Sequence, residues 1–125
     1  MPLRVLLCDD SDGAVYMARM RVAELDGIEF VGDARDHTEC LSAIVRTKPD
    51  VALVDHALVA YVTRSDVERL RAEVPDTALI LYSAVADDIV AQEARALGLD
   101  GFLSKRATET EFEAAIRHHA SPGDS

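Results

Sequence analysis

Five short apolar runs, four of them leading into a chemically useful polar residue, alternate along the chain with longer segments of helical period. This alternation limits the fold more than any other feature. The runs are "LRVLLC" (Leu3–Cys8), "IEFVGDA" (Ile28–Ala34), "DVALVD" (Asp50–Asp55), "TALILYS" (Thr77–Ser83) and "GFLSK" (Gly101–Lys105). A run that is apolar at nearly every position suits a strand covered on both faces. Between the runs, Val15, Met17, Ala18, Val22 and Leu25 recur at helical spacing over Ala14–Leu25, with Asp12 as the expected N-cap. A second helix is expected over Thr38–Lys48, with Leu41, Ile44 and Val45 inward and Pro49 as its stop. Val67, Leu70, Arg71 and Val74 carry a third helix; Ile89, Val90, Ala94 and Leu97 carry a fourth, stopped by Gly98. Glu111–His119 makes a fifth, with Phe112, Ala115 and Ile116 on one face. Strict strand–helix alternation predicts an α/β fold: a doubly wound, five-stranded parallel sheet with right-handed crossovers.

In such sheets ligands sit outside the carboxyl ends of the strands. The residues at those ends are Asp9 and Asp10, then Asp55, Ser83 and Lys105. Carboxylates brought together there repel one another, by about 4 kcal/mol per pair at ~4 Å and an effective dielectric near 20. The cluster must therefore take up protons or bind a cation. A hard divalent ion such as Mg²⁺ fits, since it takes oxygen ligands and leaves room for phosphate oxygens. One lysine and one Mg²⁺ against three carboxylates leave a site ready for an anionic phosphoryl group. Ser83 and Lys105 can hold its oxygens, and an aspartate can accept it as an acyl phosphate.

The chain has 125 residues, enough for one domain with one core, and 49% of them are hydrophobic. A formal net charge of −10 opposes direct binding to duplex DNA or an anionic membrane, both of which need clustered Lys and Arg. No apolar stretch is long enough to span a bilayer, and no export signal opens the sequence. Cys8 and Cys40 have neither CxxC nor zinc-ligand spacing. Cys8, inside an apolar run, is expected as a plain core residue of a reduced, cytoplasmic protein. The four histidines, His37, His56, His118 and His119, lack metal spacing and are expected in solvent.

The set Asp9–Asp10, Asp55, Ser83 and Lys105 strongly resembles the response-regulator receiver family, the CheY-like domains of two-component signalling. The similarity covers essentially the whole chain. "VLLCDDSDGAVYMARM", "KPDVALVD" and "GLDGFLSKRATETEFEAAIR" look closest to receivers that precede a LuxR-type helix-turn-helix domain. The resemblance implies a flavodoxin-like sheet of strand order 2-1-3-4-5 in a receiver domain over residues 1–120, with 121–125 a tail or the start of a linker. It implies that a sensor histidine kinase phosphorylates Asp55, and that Asp9, Asp10, Asp55 and the Ala57 carbonyl bind Mg²⁺. Ser83, Ala84 and Lys105 would bind the phosphoryl oxygens, and Ser83 with Phe102 would be the switch pair. Homodimerisation is a further expectation, as is contact with DNA only through an output domain outside this chain.

The pattern departs from the family after the phosphoacceptor. "DHALVAYVTRSD" lacks the usual Met-Pro and Gly, and Ala57–Val62 is apolar throughout. That segment either tucks into the sheet edge or forms an apolar surface. Arg106 follows Lys105 where many receivers have Pro, so a trans peptide is expected. Two other readings stay open. One is a receiver that signals by contact without phosphate. The other is a haloacid-dehalogenase-type phosphatase, since D-x-D-G at Asp10–Gly13 would make Asp10 the nucleophile.

Overall fold

The computed structural model describes residues 1–85 and 88–120. Its elements are β1 (Leu3–Cys8), α1 (Asp12–Ala23), β2 (Ile28–Ala34), α2 (His37–Thr47), β3 (Val51–Asp55), α3 (His56–Val59), α4 (Arg64–Glu73), β4 (Ala78–Ser83), α5 (Asp88–Leu97), β5 (Gly101–Ser104) and α6 (Glu109–His119). Every strand pairing is parallel, and the order is β2-β1-β3-β4-β5, as expected.

Alternate residues of the strands feed two cores. Val5, Leu7, Val51, Leu53, Ile80 and Tyr82 meet α1 and α6 through Val15, Ala18, Val22, Phe112 and Ile116. Leu6, Cys8, Ala52, Val54, Leu79 and Leu81 meet the opposite layer through Cys40, Ile44, Val67, Leu70, Val90 and Ala94. The period-2 geometry of a strand explains this division. Met17 and Ile89, counted among the helical apolar residues in the sequence, are instead 55% and 65% exposed.

Four sequence expectations need correction. Cys8 is not a lone core thiol: it is joined to Cys40 by a disulfide across a Cα–Cα distance of 5.5 Å. Cys8 points to the α2 face of the sheet, and Cys40 lies on the inward side of the first turn of α2. Packing, rather than sequence spacing, brings them together. Ser11, not Asp12, caps α1 by accepting from the Ala14 N–H at 3.3 Å. Asp12 is the first helical residue and pairs with Arg35. The second helix ends one residue earlier than expected because Lys48 adopts a left-handed conformation at φ 48°. Proline at the next position disfavours a right-handed α conformation there. Finally, His37, His56 and His119 are only partly exposed, His37 stacking on Tyr61, His56 pairing with Glu93 at 2.6 Å and His119 meeting His118 edge to face, whereas His118 is exposed as expected.

The segment after Asp55 folds into α3, a helix the sequence reading did not contain. Leu58 and Val59 are 5% exposed and pack into the core, while Ala57, Ala60 and Tyr61 remain outside. It thus divides between the two expectations. The structure has no cis peptide among the described residues, which agrees with a trans Lys105–Arg106 bond. No helix among them is long and apolar enough to cross a membrane.

Candidate phosphoryl and metal site

β1 and β3 end level with each other, Cys8 lying opposite Val54. The next residue of each, Asp9 and Asp55, therefore emerges beside the other at the carboxyl edge of the sheet. Asp9 is fully buried and Asp55 is 7% exposed, whereas Asp10 stands in solvent. One carboxylate oxygen from each of the three lies within 4.8 Å of the others. The fit to a hard cation rests on this: three oxygen donors from two adjacent strand ends, with the exposed one leaving an entry route.

Lys105 holds the two buried carboxylates apart and neutralises them in part. Its Nζ lies 2.7 Å from Asp9 Oδ2 and 2.6 Å from Asp55 Oδ1. Burial alone would push the ammonium down, and this is the largest single influence. The hydrogen bonds to Asp55 and Asp9, with their charges, outweigh it and hold Lys105 above the usual lysine value. Backbone geometry places the lysine. The Lys105 N–H donates to the Ser83 carbonyl at 2.7 Å, so the residue after β5 is fastened to the end of β4.

The second oxygen of each buried aspartate is also held. Asp9 Oδ1 accepts from the Ser11 N–H at 2.9 Å, and Asp55 Oδ2 accepts from the Ala57 N–H at 3.0 Å. Two bonded oxygens on each side chain restrict its rotation and aim it into the cleft. Ser83, 2% exposed, accepts from the Val85 N–H at 3.1 Å through its hydroxyl oxygen, which leaves its proton free to donate. Phe102 lies on β5 opposite Leu81 and is 37% exposed, so its ring stands outward in this conformation. Ala84, directly after β4, lies beside Ser83.

The structure thus brings Asp9, Asp10, Asp55 and Lys105 into one cluster and sets Ser83 at the same sheet edge. Sequence reasoning missed the His56–Glu93 pair, which ties the residue after Asp55 to α5. No local signal announces it, because the partners are 37 residues apart. It also missed the start of α6 at Glu109, although T-x-x-E at Thr108–Glu111 is a capping-box signal and both of its bonds form.

A family profile for the response regulator receiver domain matches residues 5–117. The response regulator GacA of Pseudomonas viridiflava is 28% identical over 115 residues, which cover 92% of this chain and 54% of that protein. The transcriptional regulatory protein LiaR of Bacillus subtilis (strain 168) is 29% identical over 126 residues, covering 98% and 57%. The chain spans about half the length of these curated relatives. Among solved structures, the signal receiver domain of the putative response regulator NarL from Mycobacterium tuberculosis superposes with a TM-score of 0.83 at 27% identity. That match covers 95% of this chain and 96% of the other.

Proposed function

Since the chain belongs to the response regulator receiver family, and so to two-component signalling, we propose that Asp55 is its phosphoacceptor and that Asp9, Asp10 and Asp55, with the Ala57 carbonyl, bind Mg²⁺. The single observation that carries this reading is Lys105 bridging Asp9 and Asp55 at 2.7 and 2.6 Å beside the three-carboxylate cluster. Mg²⁺, when bound, supplies positive charge to both the carboxylates and an incoming phosphoryl group.

Asp55 is the better nucleophile of the two buried aspartates. Asp9 is sealed from solvent, whereas Asp55 retains an exposed edge. In transfer from a phosphohistidine, an Asp55 oxygen forms the new P–O bond as the P–N bond breaks, and the imidazole leaves with the electron pair and takes up a proton. Lys105 then moves from carboxylate partner to phosphoryl partner, and the Ser83 hydroxyl donates to a second phosphoryl oxygen. The Ala84 N–H supplies a third donor.

The donor would be a sensor histidine kinase, and the cytoplasm is the compartment this reading requires. The likeness to LiaR, named as a transcriptional regulator, favours control of transcription as the output. Incubation with acetyl phosphate and Mg²⁺ followed by intact mass tests the reading. Wild type should gain one phosphoryl group and Asp55→Asn none. Labelling that survives Asp55→Asn but vanishes in Asp10→Asn would transfer the nucleophile to Asp10. No labelling of wild type would leave a receiver that signals by contact alone.

A further inference from the structure

Lys105 also lines a cavity of about 170 Å³ that Asp9 and Asp55 do not line, together with Gly13, Ala14, Met17, Arg21 and Tyr82. Gly13, Met17 and Arg21 are four residues apart, so they form one stripe along α1. Helical side chains lean toward the N-terminus, and this directs Arg21 back along the stripe toward the space that a side chain at Gly13 would occupy.

Arg21 is unusual in its surroundings. Its Nη1 is excluded from solvent and finds no hydrogen-bond acceptor among the described residues. Nor does any carboxylate among them form an ion pair with it, although six other basic side chains have such partners. Its neighbours are aromatic: the guanidinium carbon sits 5.4 Å from the centre of the Phe112 ring. Lys105 approaches Tyr82 from the other side, with Nζ 5.5 Å from the ring centre. Burial raises the Tyr82 phenol above its ordinary value, while the charges of Arg21 and Lys105 and a hydrogen bond from Arg21 oppose that rise, so both cations act on one hydroxyl.

A guanidinium N–H shut off from solvent without an acceptor costs free energy, and a charge that no carboxylate balances adds to that cost. Water can satisfy the N–H groups but cannot balance the charge. The cavity is also several times the ~30 Å³ that one water occupies. Lys105 has three N–H donors, of which Asp9 and Asp55 take two, leaving one to spare. From these observations we infer that the cavity between α1 and the β5–α6 connection is a second binding site, specific for a small free oxyanion held by Arg21, Lys105 and the Tyr82 hydroxyl. The site is separate from the phosphoryl site but shares its lysine.

The experiment uses Asp55→Asn protein without Mg²⁺, so that its outcome does not depend on phosphorylation. Inorganic phosphate, sodium acetate and sodium chloride are titrated at matched ionic strength while the amide resonances of Gly13, Ala14 and Met17 and the Arg21 Nε–H are followed. A saturable shift with phosphate or acetate, absent with chloride, is the expected result, and the stronger of the two identifies phosphate or carboxylate as the preferred group. Arg21→Leu should weaken binding about tenfold or more, the loss expected for one charge-assisted hydrogen bond. Gly13→Leu should also abolish it by filling the cavity while leaving Arg21 in place. A Cβ at Gly13 makes only an ordinary 3.7 Å contact, with Ser11 Oγ, so this variant is expected to fold. Shifts no larger than those with chloride would mean that the cavity holds water alone. Shifts that persist in either variant would place the anion elsewhere. Either result overturns the proposal.

Discussion

Lys105 illustrates how one side chain carries both stability and chemistry. It is the cation closest to a fully buried Asp9, and truncating one member of a buried pair leaves the other uncompensated, at a cost of about 3 kcal/mol or more. Lys105→Met should therefore lower the denaturation midpoint, and Mg²⁺ should restore more stability to the variant than it adds to wild type. Denaturant melts with and without Mg²⁺ check this; equal Mg²⁺ effects in both proteins would count against a shared role for the lysine and the ion. Ala57 and Val85 bear on the lifetime of an acyl phosphate. Both are exposed beside the site, and neither can hold a water in line with phosphorus. Slow self-dephosphorylation is expected, with Ala57→Asn plus Val85→Glu faster. The measurement is decay of phosphoprotein after donor removal at constant Mg²⁺, and equal decay in the two proteins would refute it.

At the scale of elements, the disulfide links β1 to α2 immediately before Asp9. Its two cysteines are 32 residues apart in sequence, and closing a loop of that size restricts the unfolded chain by about 3–4 kcal/mol. Reduction, or Cys40→Ser, should lower the unfolding free energy by that order. Urea melts with and without reductant give the value, and indistinguishable melts would show that the bond does not form in solution. The caps are equally local in origin. Thr63 with Asp66 and Thr108 with Glu111 form reciprocal boxes that fix where α4 and α6 begin. Lys48, in contrast, ends α2 in a conformation better suited to glycine, imposed by the proline that follows.

Over the whole molecule, phosphorylation at the candidate site is expected to couple to the face made by α5, β5 and α6. Ser83 closes β4 inside the site, Phe102 stands on the neighbouring strand, and His56 reaches from beside Asp55 to Glu93 on α5. A phosphoryl group that drew the Ser83 hydroxyl to itself would remove an acceptor from the Val85 N–H. The face would then have two arrangements with different affinity for phosphate. Phosphorylation, or binding of a phosphate mimic, should alter amide exchange around Ala84–Val90 and at Phe102. Residues 86 and 87 of that segment lie outside the described residues. Unchanged exchange in a fully phosphorylated sample would exclude this coupling.

The sequence by itself determined the sheet and the carboxyl-end residues. Strands buried on both faces must be apolar at consecutive positions, so β1, β3 and β4 are legible as runs, and the edge strand β2 still matches its run residue for residue. At the carboxyl ends of β1, β3, β4 and β5 the apolar run gives way to a polar residue, so Asp9, Asp55, Ser83 and Lys105 are legible in the sequence. Only the tertiary structure decided what depends on long-range partners. Asp9 is sealed while Asp10 is exposed, although they are adjacent in the chain, because Lys105 and the Ser11 N–H engage both oxygens of Asp9 at the sheet edge. Cys8 meets Cys40, His56 meets Glu93, and Arg21 turns into a cavity beside Lys105, because helices fold back onto a sheet whose register brings distant residues level. Local periodicity carries no record of such pairings. They arise when the two cores close, and the physical cause is packing between elements rather than preference within them.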